Sequence, residues 1–497
     1  MTHARASYNS HRIAGALLTD LYQLTMACGY WKAGKTNEQA VFHLFFRENP
    51  FDGGYTIAAG LADAIAFLEH FRFDDSDIEY LRGLTGIDGK PLFEPGFLDY
   101  LRALRFECDV DAIPEGTVVF PHEPLVRVQG SILQGQLVET ALLNILNFQS
   151  LIATRASRIC EAAQGDPVIE FGLRRAQGVD GAITASRAAF IGGCAGTSNA
   201  LAGKIFGIPV KGTHAHSWVM SFENELAAFN AYADALPNNP IFLVDTYNTL
   251  DGVRHSVTVG RRLRERGYDL AGIRLDSGDL AYLSIEARRI LDEAGFDKTA
   301  IVASNDLDER LIASLKQQGA RINVWGVGTR LVTAYDQPAL GGVYKLSAIC
   351  APDGAWRHTI KLSEQVAKIT NPGLLQVRRF RSDGKFVGDA IYDQTRPLPD
   401  PITIVDPTDV TRRKELAENL EWEDLLVPVF RKGERVYASP SLEAIRERAQ
   451  LQLSMLHPGI RRFDNPHRYP AGLELGLHDF KMQLILDLKS SGPAANP

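Results

Sequence analysis

Short apolar runs alternate with helix-length amphipathic stretches through the middle of the chain. The runs predict strands at 168–171, 188–191, 208–211, 241–245, 271–275, 300–303, 322–325 and 342–346. The stretches between them predict helices at 196–206, 222–234, 252–266, 279–294 and 307–318. Such alternation is typical of parallel strand–helix–strand units, in a closed barrel or an open sheet. The span of about 180 residues is short beside the roughly 250 of a regular eightfold barrel. We therefore expect an irregular (β/α) barrel, with an open doubly wound sheet as the alternative.

The flanking regions follow different patterns. Thr19 or Asp20 can cap a helix whose apolar face begins at Leu21, and an alternating aromatic strand follows at 40–47. From these patterns we predict a helix at 58–71, short helices within 72–107, strands within 110–128 and C-terminal helices at 440–455 and 473–489. The resulting division is a disordered N-terminus (1–15), an N-terminal α+β domain (16–135), an α/β catalytic domain (136–350), a C-terminal segment packing on both (351–490) and a disordered tail (491–497).

Composition narrows the functional class. The 497 residues carry a formal net charge of −7, which argues against a nucleic-acid-binding protein, since such a protein needs a basic stripe. No apolar run reaches the roughly 18 to 20 residues of a membrane span, and the polar residues 1–15 lack a signal core. Five scattered cysteines without a C-x-x-C pair favour a reducing compartment, and we expect a cytoplasmic protein.

Polar or glycine-rich turns follow six of the eight predicted strands. They begin at Glu170, Lys211, Asp245, Arg274, Ser304 and Gly326. In a set of parallel strands the turns after the carboxyl ends open on one face. Loops are generally polar, but six such turns behind buried strands favour one shared active site.

Several of these turns suit an anionic ligand. Gly326 and Gly328 can free backbone N–H groups for a phosphate, and the Thr329 hydroxyl adds a donor; an ordinary helix start explains the pattern equally well. Planar guanidinium groups for carboxylate or phosphate are available at four positions, namely Arg174, Arg175, Arg274 and Arg330.

Carboxylates and imidazoles complete the candidate chemistry. Asp276 and Asp279 bracket a Ser-Gly pair, where they can hold Mg²⁺ through water or bind ribose hydroxyls. The alternative, which can coexist with ligand binding, is that Asp276 or Ser277 caps the next helix. His214 and His216 stand two residues apart after a predicted strand end, and an imidazole can accept a proton or a phosphoryl group near neutral pH. Zinc ligation by this pair is disfavoured because no third soft ligand is apparent, and no metal ligand is assigned.

Taken together, these motifs resemble the nicotinate phosphoribosyltransferase family. The matching pieces, in chain order, are Thr19–Gln23, Phe45–Arg47, Glu170–Arg175, Gly212–Ser217, Arg274–Asp279, Gly326–Thr329 and Gly341–Leu346. The likeness runs from about residue 17 to 350 and more loosely beyond. No single motif is specific, but the ordered set is.

The resemblance implies a fold, a reaction and an assembly. The fold would be a sandwich-like N-terminal domain, an irregular α/β barrel and a C-terminal segment. The reaction would join nicotinate to phosphoribosyl pyrophosphate in NAD salvage, giving nicotinate mononucleotide and pyrophosphate, with ATP and Mg²⁺ as cofactors. This is an ATP-dependent ligase reaction that passes through a phosphohistidine. The protein would be a homodimer with active sites at the interface.

The resemblance also implies residue roles. His216 would be phosphorylated by ATP, with Asp276 and Arg174 as further catalytic residues. Tyr22, Thr213 and Arg274 would bind nicotinate, with Tyr22 stacking on the ring from the neighbouring subunit. The phosphoribosyl pyrophosphate would be bound by Arg175, Asp279, Gly326, Gly328 and Thr329. His214 departs from the family, where we expect Met or Leu.

Three other functions remain compatible with parts of the sequence. A sister enzyme would use nicotinamide or quinolinate in place of nicotinate. A sugar-phosphate isomerase or aldolase would need a base inside the barrel, for which Lys211 or Glu170 could serve. A catalytically inactive binding protein is the third alternative.

Overall fold

The protein is described by a computed structural model that covers residues 15–351, 353–363 and 368–490. The predicted disorder at 1–14 and 491–497 lies outside the described residues. Contacts divide the chain into two units: a central unit, Ile152–Pro338, and a terminal unit that joins Met1–Leu151 with Ala339–Pro497.

The element order alternates helices and strands only in the middle of the chain. The helices are Leu21–Lys32, Leu61–Glu69, Asp75–Arg82, Pro95–Ala103, Ile132–Leu137, Glu139–Ala162, Val179–Ile191, Ala200–Phe206, His216–Met220, Glu225–Ala235, Thr249–Glu265, Leu280–Glu293, Glu309–Gln317, Thr329–Val332, Leu442–Met455 and Leu475–Ser490. Short 3-10 turns occur at Pro50–Asp52, Leu173–Arg175 and Pro458–Arg461.

Strands make up three larger sheets and one two-stranded pair within the described residues. They are Gln39–Phe45, Thr56–Ile57, Asp109–Ala112, Val118–Val119, Val126–Ser131, Val168–Glu170, Gly196–Thr197, Ile241–Leu243, Gly272–Leu275, Ala300–Ala303, Val324–Val327, Val343–Cys350, Trp356–His358, Leu375–Ser382, Lys385–Asp393, Ile402–Val405, Arg413–Leu416, Glu421–Asp424, Val427–Arg431, Glu434–Arg435 and Ala471–Glu474.

The central unit is built on a six-stranded parallel sheet. Its spatial order by first residue is 196, 168, 324, 300, 272 and 241. Side chains on adjacent strands are fully buried, including Phe242, Ile273, Ile301 and Trp325. Helices connect most successive strands, as a parallel sheet requires. All carboxyl ends therefore meet at one edge of this sheet.

The sheet confirms the predicted α/β class, whereas a closed barrel is not confirmed. Strands 168–170 and 324–327, the first and last strands of the sheet along the chain, are paired, so the order is cyclic with one gap between strands 196–197 and 241–243. Predicted strand 208–211 falls in that gap and is reduced to one bridge between Thr197 and Val210. Pro209 lacks the N–H that a continuous ladder needs there.

One further strand prediction was wrong, and another predicted strand belongs to a different sheet. Residues 188–191 end helix Val179–Ile191, which is buried from Ala182 to Ile191, so that its apolar run reflects burial and not extension. Residues 342–346 do form a strand, Val343–Cys350, but it pairs antiparallel with Gln39–Phe45 in the terminal unit and not with the parallel set. Its short apolar run gave no indication of which sheet it joins.

The terminal unit contains a seven-stranded sheet that draws on distant parts of the chain. Strand Gln39–Phe45 lies between Val343–Cys350 and Val126–Ser131, and Asp109–Ala112 pairs with Val427–Arg431. Asp20 is the N-cap residue of helix Leu21–Lys32, as one of the two sequence alternatives had it. Gln23 Oε1 accepts from the Asp20 backbone N–H at 3.1 Å, which completes a capping box.

A six-stranded sheet in the C-terminal part was not predicted. Its strands Leu375–Ser382 and Lys385–Asp393 form a hairpin. The first strand is not recognisable from hydrophobic alternation because an arginine occupies an inward position. Arg379 is fully buried, and its Nε donates to Asp389 Oδ1 at 3.0 Å. A buried charge needs such pairing and hydrogen bonding, which hydrophobic periodicity cannot reveal.

Within the described residues, none of the helices combines the length and the apolar character that crossing a lipid bilayer requires.

Candidate active site

Most of the predicted site residues line one cavity at the carboxyl edge of the parallel sheet. The cavity has a volume of about 220 Å³ and is lined by Phe171, Arg174, Arg175, Arg274, Asp276, Ser304, Asn305, Asp306, Gly326, Gly328 and Thr329. These residues come from four turns, after strands 168–170, 272–275, 300–303 and 324–327. The expectation that separate strand ends open on a common site is therefore met by the geometry.

Arg274 is held on the cavity wall by three side chains. Its Nε donates to Ser304 Oγ at 2.8 Å, Nη1 to Thr213 Oγ1 at 3.1 Å and Nη2 to Asp276 Oδ1 at 2.9 Å. Ser304 also donates to the same Asp276 oxygen. A guanidinium has five N–H donors, so one remains on each terminal nitrogen. This braced fork can pair bidentately with a planar anion.

Phe171 provides an aromatic face beside this guanidinium. The Arg274 Cζ atom lies 5.6 Å from the centre of the Phe171 ring. Gly326 makes room for the ring, because a Cβ at that position would come within 2.6 Å of it. The glycine is thus required for close packing with Phe171, a role that the G-x-G-T motif alone did not indicate.

Two guanidinium groups at the cavity have no counter-ion in the described ranges of the chain. Arg174 and Arg175 lie in the 3-10 turn Leu173–Arg175, and neither forms an ion pair within the described part of the chain. Arg330, by contrast, is committed to Asp308 and lies 4.8 Å from the Tyr335 ring centre. Unpaired cations at a concave site favour a negatively charged ligand.

His216 is connected to this cavity through an aspartate. His216 Nε2 lies 3.1 Å from Asp245 Oδ1, and the Asp245 side chain is fully buried. The other Asp245 oxygen accepts from the Asp276 backbone N–H at 2.9 Å and from Ser277 Oγ at 2.6 Å. The carboxylate therefore fixes the orientation of an imidazole that is itself 39% exposed.

His214 has a different environment. Its Nε2 accepts from the Leu243 backbone N–H at 3.2 Å, and its ring packs 4.8 Å from the Tyr232 ring. Burial lowers the pKa of His214 to about 4, so that the ring is neutral near pH 7. Of the two histidines, only His216 presents an accessible ring.

Four predicted site residues are not part of the cavity lining, namely His216, Thr213, Asp279 and Tyr22. Asp279 caps helix Leu280–Glu293, where its carboxylate accepts from the Tyr282 N–H at 3.1 Å. Tyr22 belongs to the terminal unit, on helix Leu21–Lys32, with 48% of its surface exposed. Thr213 contacts the cavity through Arg274.

The structure adds residues that the sequence argument did not single out. Phe171, Ser304, Asp306 and Asp245 all lie at the candidate site or support it. Asp245 and Ser304 each begin a strand-end turn in the sequence, so that a signal existed. Their partners, however, come from other strands and only the fold identifies them.

Fold and site together define an α/β protein with an arginine-rich cavity at the carboxyl edge of a parallel sheet. Comparison with known sequences makes the assignment specific. Models of the nicotinate phosphoribosyltransferase N-terminal domain, family region and C-terminal domain match residues 17–147, 167–370 and 376–481. The chain belongs to the nicotinate phosphoribosyltransferase family.

Named relatives match over nearly the whole chain. A Bacillus subtilis nicotinate phosphoribosyltransferase is 44% identical over 482 residues, covering 96% of both chains. The human nicotinate phosphoribosyltransferase is 37% identical over 525 residues, covering 93% of this chain and 95% of its own. A crystal structure of the human nicotinic acid phosphoribosyltransferase matches with a TM-score of 0.81 and 35% identity, covering 94% of this chain and 99% of that chain.

Proposed function

We propose that this protein is a nicotinate phosphoribosyltransferase, which joins nicotinate to phosphoribosyl pyrophosphate in NAD biosynthesis and releases pyrophosphate. The observation that carries the proposal is the Arg274 fork beside the Phe171 ring, in a cavity with two unpaired guanidinium groups. The family relationship agrees with it.

Nicotinate combines a flat ring with a carboxylate, and the cavity offers a partner for each. The two remaining N–H groups of Arg274 bind the carboxylate, and Phe171 packs against the ring. A neutral amide would leave the guanidinium poorly paired, a loss of roughly 1 to 3 kcal/mol. Arg274 is therefore the residue that selects nicotinate over nicotinamide.

The phosphoribosyl substrate occupies the remaining cationic part of the cavity. Arg174 and Arg175 bind its phosphate groups, with Thr329 and the turn at Gly328 as further donors. The bond between ribose C1 and the pyrophosphate oxygen breaks, and the electron pair leaves with pyrophosphate. The lone pair of the nicotinate ring nitrogen then forms the bond to the electron-poor C1, and nicotinate in the cavity keeps water, the competing nucleophile, away from C1.

A Mg²⁺ ion fits the carboxylates of this cavity. Asp276 Oδ2 has no hydrogen-bond partner among the described residues, and Asp306 forms no ion pair there. One or two carboxylates together with substrate phosphates are the usual ligands of Mg²⁺ in such enzymes. When bound, the ion would neutralise charge on the pyrophosphate.

ATP coupling acts through His216. With its Nε2 proton directed to Asp245, the ring has its lone pair on Nδ1. This lone pair attacks the γ-phosphorus of ATP, the bond to the ADP oxygen breaks, and ADP leaves with that electron pair. The new phosphohistidine adds about two negative charges, which can reorient the arginines that hold pyrophosphate.

The assembly we propose is a homodimer with active sites at the interface. Helix Leu21–Lys32 exposes Leu21, Tyr22 and Met26 by 53%, 48% and 39%. Apolar side chains grouped on one helix suit a subunit contact, and Tyr22 would stack on nicotinate from the neighbouring subunit. Sedimentation equilibrium of the wild type and of a Leu21→Glu variant tests this; a monomeric wild type contradicts it.

The central experiment measures pyrophosphate release from phosphoribosyl pyrophosphate with nicotinate, nicotinamide or quinolinate, each with and without ATP. We expect release with nicotinate and stimulation by ATP. His216→Ala should remove the stimulation and the acid-labile ³²P label from γ-labelled ATP, while the folded spectrum is retained. Full stimulation in that variant refutes the phosphohistidine, and preference for another pyridine refutes the substrate.

An isomerase or aldolase is not favoured by the geometry. Glu170, one of the two bases that it could use, is fully buried and accepts from Ser186 Oγ at 2.8 Å and Thr197 Oγ1 at 2.6 Å. A carboxylate committed to these donors holds the turns together and does not abstract protons.

A further inference from the structure

A second and larger cavity lies wholly within the terminal unit. Its volume is about 530 Å³, inside the range of roughly 300 to 1,000 Å³ that small-molecule sites occupy. Its basic and imidazole lining consists of Arg47, His122, His467 and Arg468, and the one carboxylate in the lining is Glu48. None of its lining residues belongs to the candidate active site.

Arg47 is a cation that has no counter-ion among the residues the structure describes. Within the described residues it forms no ion pair, and its Nε atom is buried with no hydrogen-bond partner. Burial lowers the pKa of the Arg47 guanidinium, which reflects the cost of a charge that nothing nearby compensates. A negatively charged ligand in the cavity would supply the missing partner.

His122 is also incompletely satisfied. It is 7% exposed, and its Nε2 atom has no hydrogen-bond partner in the described part of the chain. Burial first, and then the nearby charges of Lys481 and Arg47, lower its pKa to about 4. The surroundings of the ring are therefore positively charged overall, although Asp406 lies close enough to oppose this effect.

Arg468 can share its charge with a ligand. Only its Nη2 is engaged among the described residues, with Asp406 Oδ2 at 2.9 Å and Thr408 Oγ1 at 2.9 Å. Asp406 additionally accepts from the Thr408 N–H at 2.8 Å and from its hydroxyl at 2.8 Å, so that it does not depend on Arg468 alone. The Nε and Nη1 donors remain for an anion.

A smaller cavity of about 110 Å³ adjoins the larger one and is also lined by basic residues. It shares Arg468, Tyr469 and Ala471 with the larger cavity. It adds the three cations of the run Arg412–Lys414 and one carboxylate, Asp406, and Arg412 is paired with Asp409 at 3.1 Å. Such a concentration of cations contrasts with the formal net charge of −7 of the chain. Apart from the polar residues Asn49 and Thr408, the rest of the larger cavity is lined by apolar groups and glycines, with Phe120 stacked on Tyr469 at 3.9 Å and three prolines.

We propose that the two connected cavities form a binding site for an organic polyphosphate, an anion with at least two phosphoryl groups on an apolar body, such as a nucleoside diphosphate. The phosphoryl groups bind Arg468 and the run Arg412–Lys414, and the organic part fills the larger cavity beside Arg47 and the Tyr469–Phe120 pair. An inorganic anion would use the cations but leave the apolar walls unoccupied.

Hydrogen–deuterium exchange of the full chain locates the ligand directly. With ADP at about 1 mM, we expect slower exchange in residues 402–416 and 466–474. Arg468→Gln should remove this protection, since the variant loses the guanidinium that both cavities share. Arg82→Gln, which removes an exposed arginine paired with Glu79 in the same unit, is the matched control and should retain it.

Two further probes separate the parts of the ligand. Adenosine and inorganic pyrophosphate should each protect these segments at least tenfold less well than ADP at equal concentration. Equal protection by adenosine overturns the role of the cations, and equal protection by pyrophosphate overturns the role of the apolar walls. No protection by ADP, or protection that Arg468→Gln leaves unchanged, overturns the site. Arg413→Gln is the second variant if Arg468→Gln fails to fold.

Discussion

The two cavities contrast in how their charges are satisfied. In the central unit, Arg274 is tied to Ser304, Thr213 and Asp276, and its remaining donors point to one type of planar partner. In the terminal unit, Arg47 has no ion pair and His122 Nε2 has no hydrogen bond within the described residues. The contrast concerns Arg274, which is braced, against Arg47 and His122, which are not; it does not extend to Arg174 and Arg175, which form no ion pair within the described residues.

The contrast separates two ways of binding an anion. A braced guanidinium keeps its geometry without ligand, which suits a reaction that needs reacting atoms in a fixed arrangement. Unsatisfied groups instead gain their partners when the ligand arrives, so binding stabilises the surrounding unit. We therefore expect catalytic effects from the first cavity and stability effects from the second.

The largest expected effect is on catalysis by Arg274→Gln. Removing one partner of a hydrogen-bonded charge pair costs about 2 to 5 kcal/mol, so kcat/KM for nicotinate should fall by roughly 30- to 5,000-fold. Selectivity over nicotinamide should fall with it. Arg468→Gln is the matched substitution in the other cavity and should change kcat/KM less than twofold.

An equal fall in kcat/KM in Arg274→Gln and Arg468→Gln would contradict the assignment of different roles to the two cavities, because both would then serve the same reaction. Turnover is measured with saturating phosphoribosyl pyrophosphate and varied nicotinate, and thermal unfolding of both variants checks that they are folded.

A smaller catalytic effect is expected from Asp245→Asn. The amide cannot accept and orient the His216 Nε2 proton as the carboxylate does, so the ATP-stimulated rate should fall by about 10- to 100-fold. The rate without ATP should change little, and the His216 phosphorylation rate should fall in parallel. A matched loss without ATP would show that Asp245 supports the turn at Ser277 and does not act through His216.

Glycine substitutions compare the packing of the two cavities. A Cβ at Gly54, in the terminal cavity, would approach the Ile460 carbonyl oxygen to 2.2 Å, whereas a Cβ at Gly326 would meet the Phe171 ring at 2.6 Å. A ring can move and a backbone carbonyl cannot, so Gly54→Ala should destabilise more, and each should cost about 1 to 3 kcal/mol.

Gly326→Ala should in addition raise KM for nicotinate, because the displaced Phe171 ring enters the cavity. Urea unfolding gives the stability change. Gly29→Ala, whose Cβ would meet nothing within 4 Å, is the control without a clash, and it should stabilise by about 0.5 to 1 kcal/mol because Ala favours a helix interior over Gly. An unchanged KM in Gly326→Ala would argue against the ring as part of the nicotinate site.

A fall in pH should lower the stability of the terminal unit more than that of the central unit. Burial lowers the pKa of His43 to about 3 and of His122 to about 4 there, whereas His214, in the central unit, has a pKa of about 4. The unfolded histidines bind protons below about 6.5 and the folded ones do not, so stability is full above that pH and is lost as the pH falls towards 4.

Between pH 7 and 5.5 each of these histidines should contribute a loss of about 1 kcal/mol. Hydrogen exchange at the two pH values measures the effect in each unit, and His122→Gln should reduce it in the terminal unit by about that amount. Greater loss in the central unit would contradict the assignment.

The sequence predicted the parallel strands and their turns because each signal is local. Strands near 168, 241, 272, 300 and 324 combine short apolar runs with a polar turn, and these turns supply the cavity. The elements that were predicted wrongly or missed depend on contacts between residues far apart in the sequence. Residues 188–191 are apolar because their helix is buried on all sides, and Arg379 in its buried ion pair masks the strand around it.

The site was predictable to the same extent. Arg174, Arg274 and Thr329 follow strands directly, so their meeting at one cavity follows from parallel topology. Asp279, which we predicted to bind phosphoribosyl pyrophosphate, caps helix Leu280–Glu293. The role of Asp245 follows only from the fold, which places its Oδ1 atom 3.1 Å from His216 Nε2.

The sheet of the terminal unit also constrains how the chain is made. Two N-terminal strands of this sheet pair with strands that come about 300 residues later in the chain. Strand Gln39–Phe45 pairs with Val343–Cys350, and strand Asp109–Ala112 pairs with Val427–Arg431. During synthesis these early strands leave the ribosome long before their partners exist, with two edges open to wrong pairing. The parallel sheet, whose strands all lie within one continuous stretch, can be complete before translation ends. Nascent chains that stop after residue 338 should therefore already protect the central sheet from proteases, while the N-terminal strands remain cleavable and in need of chaperones.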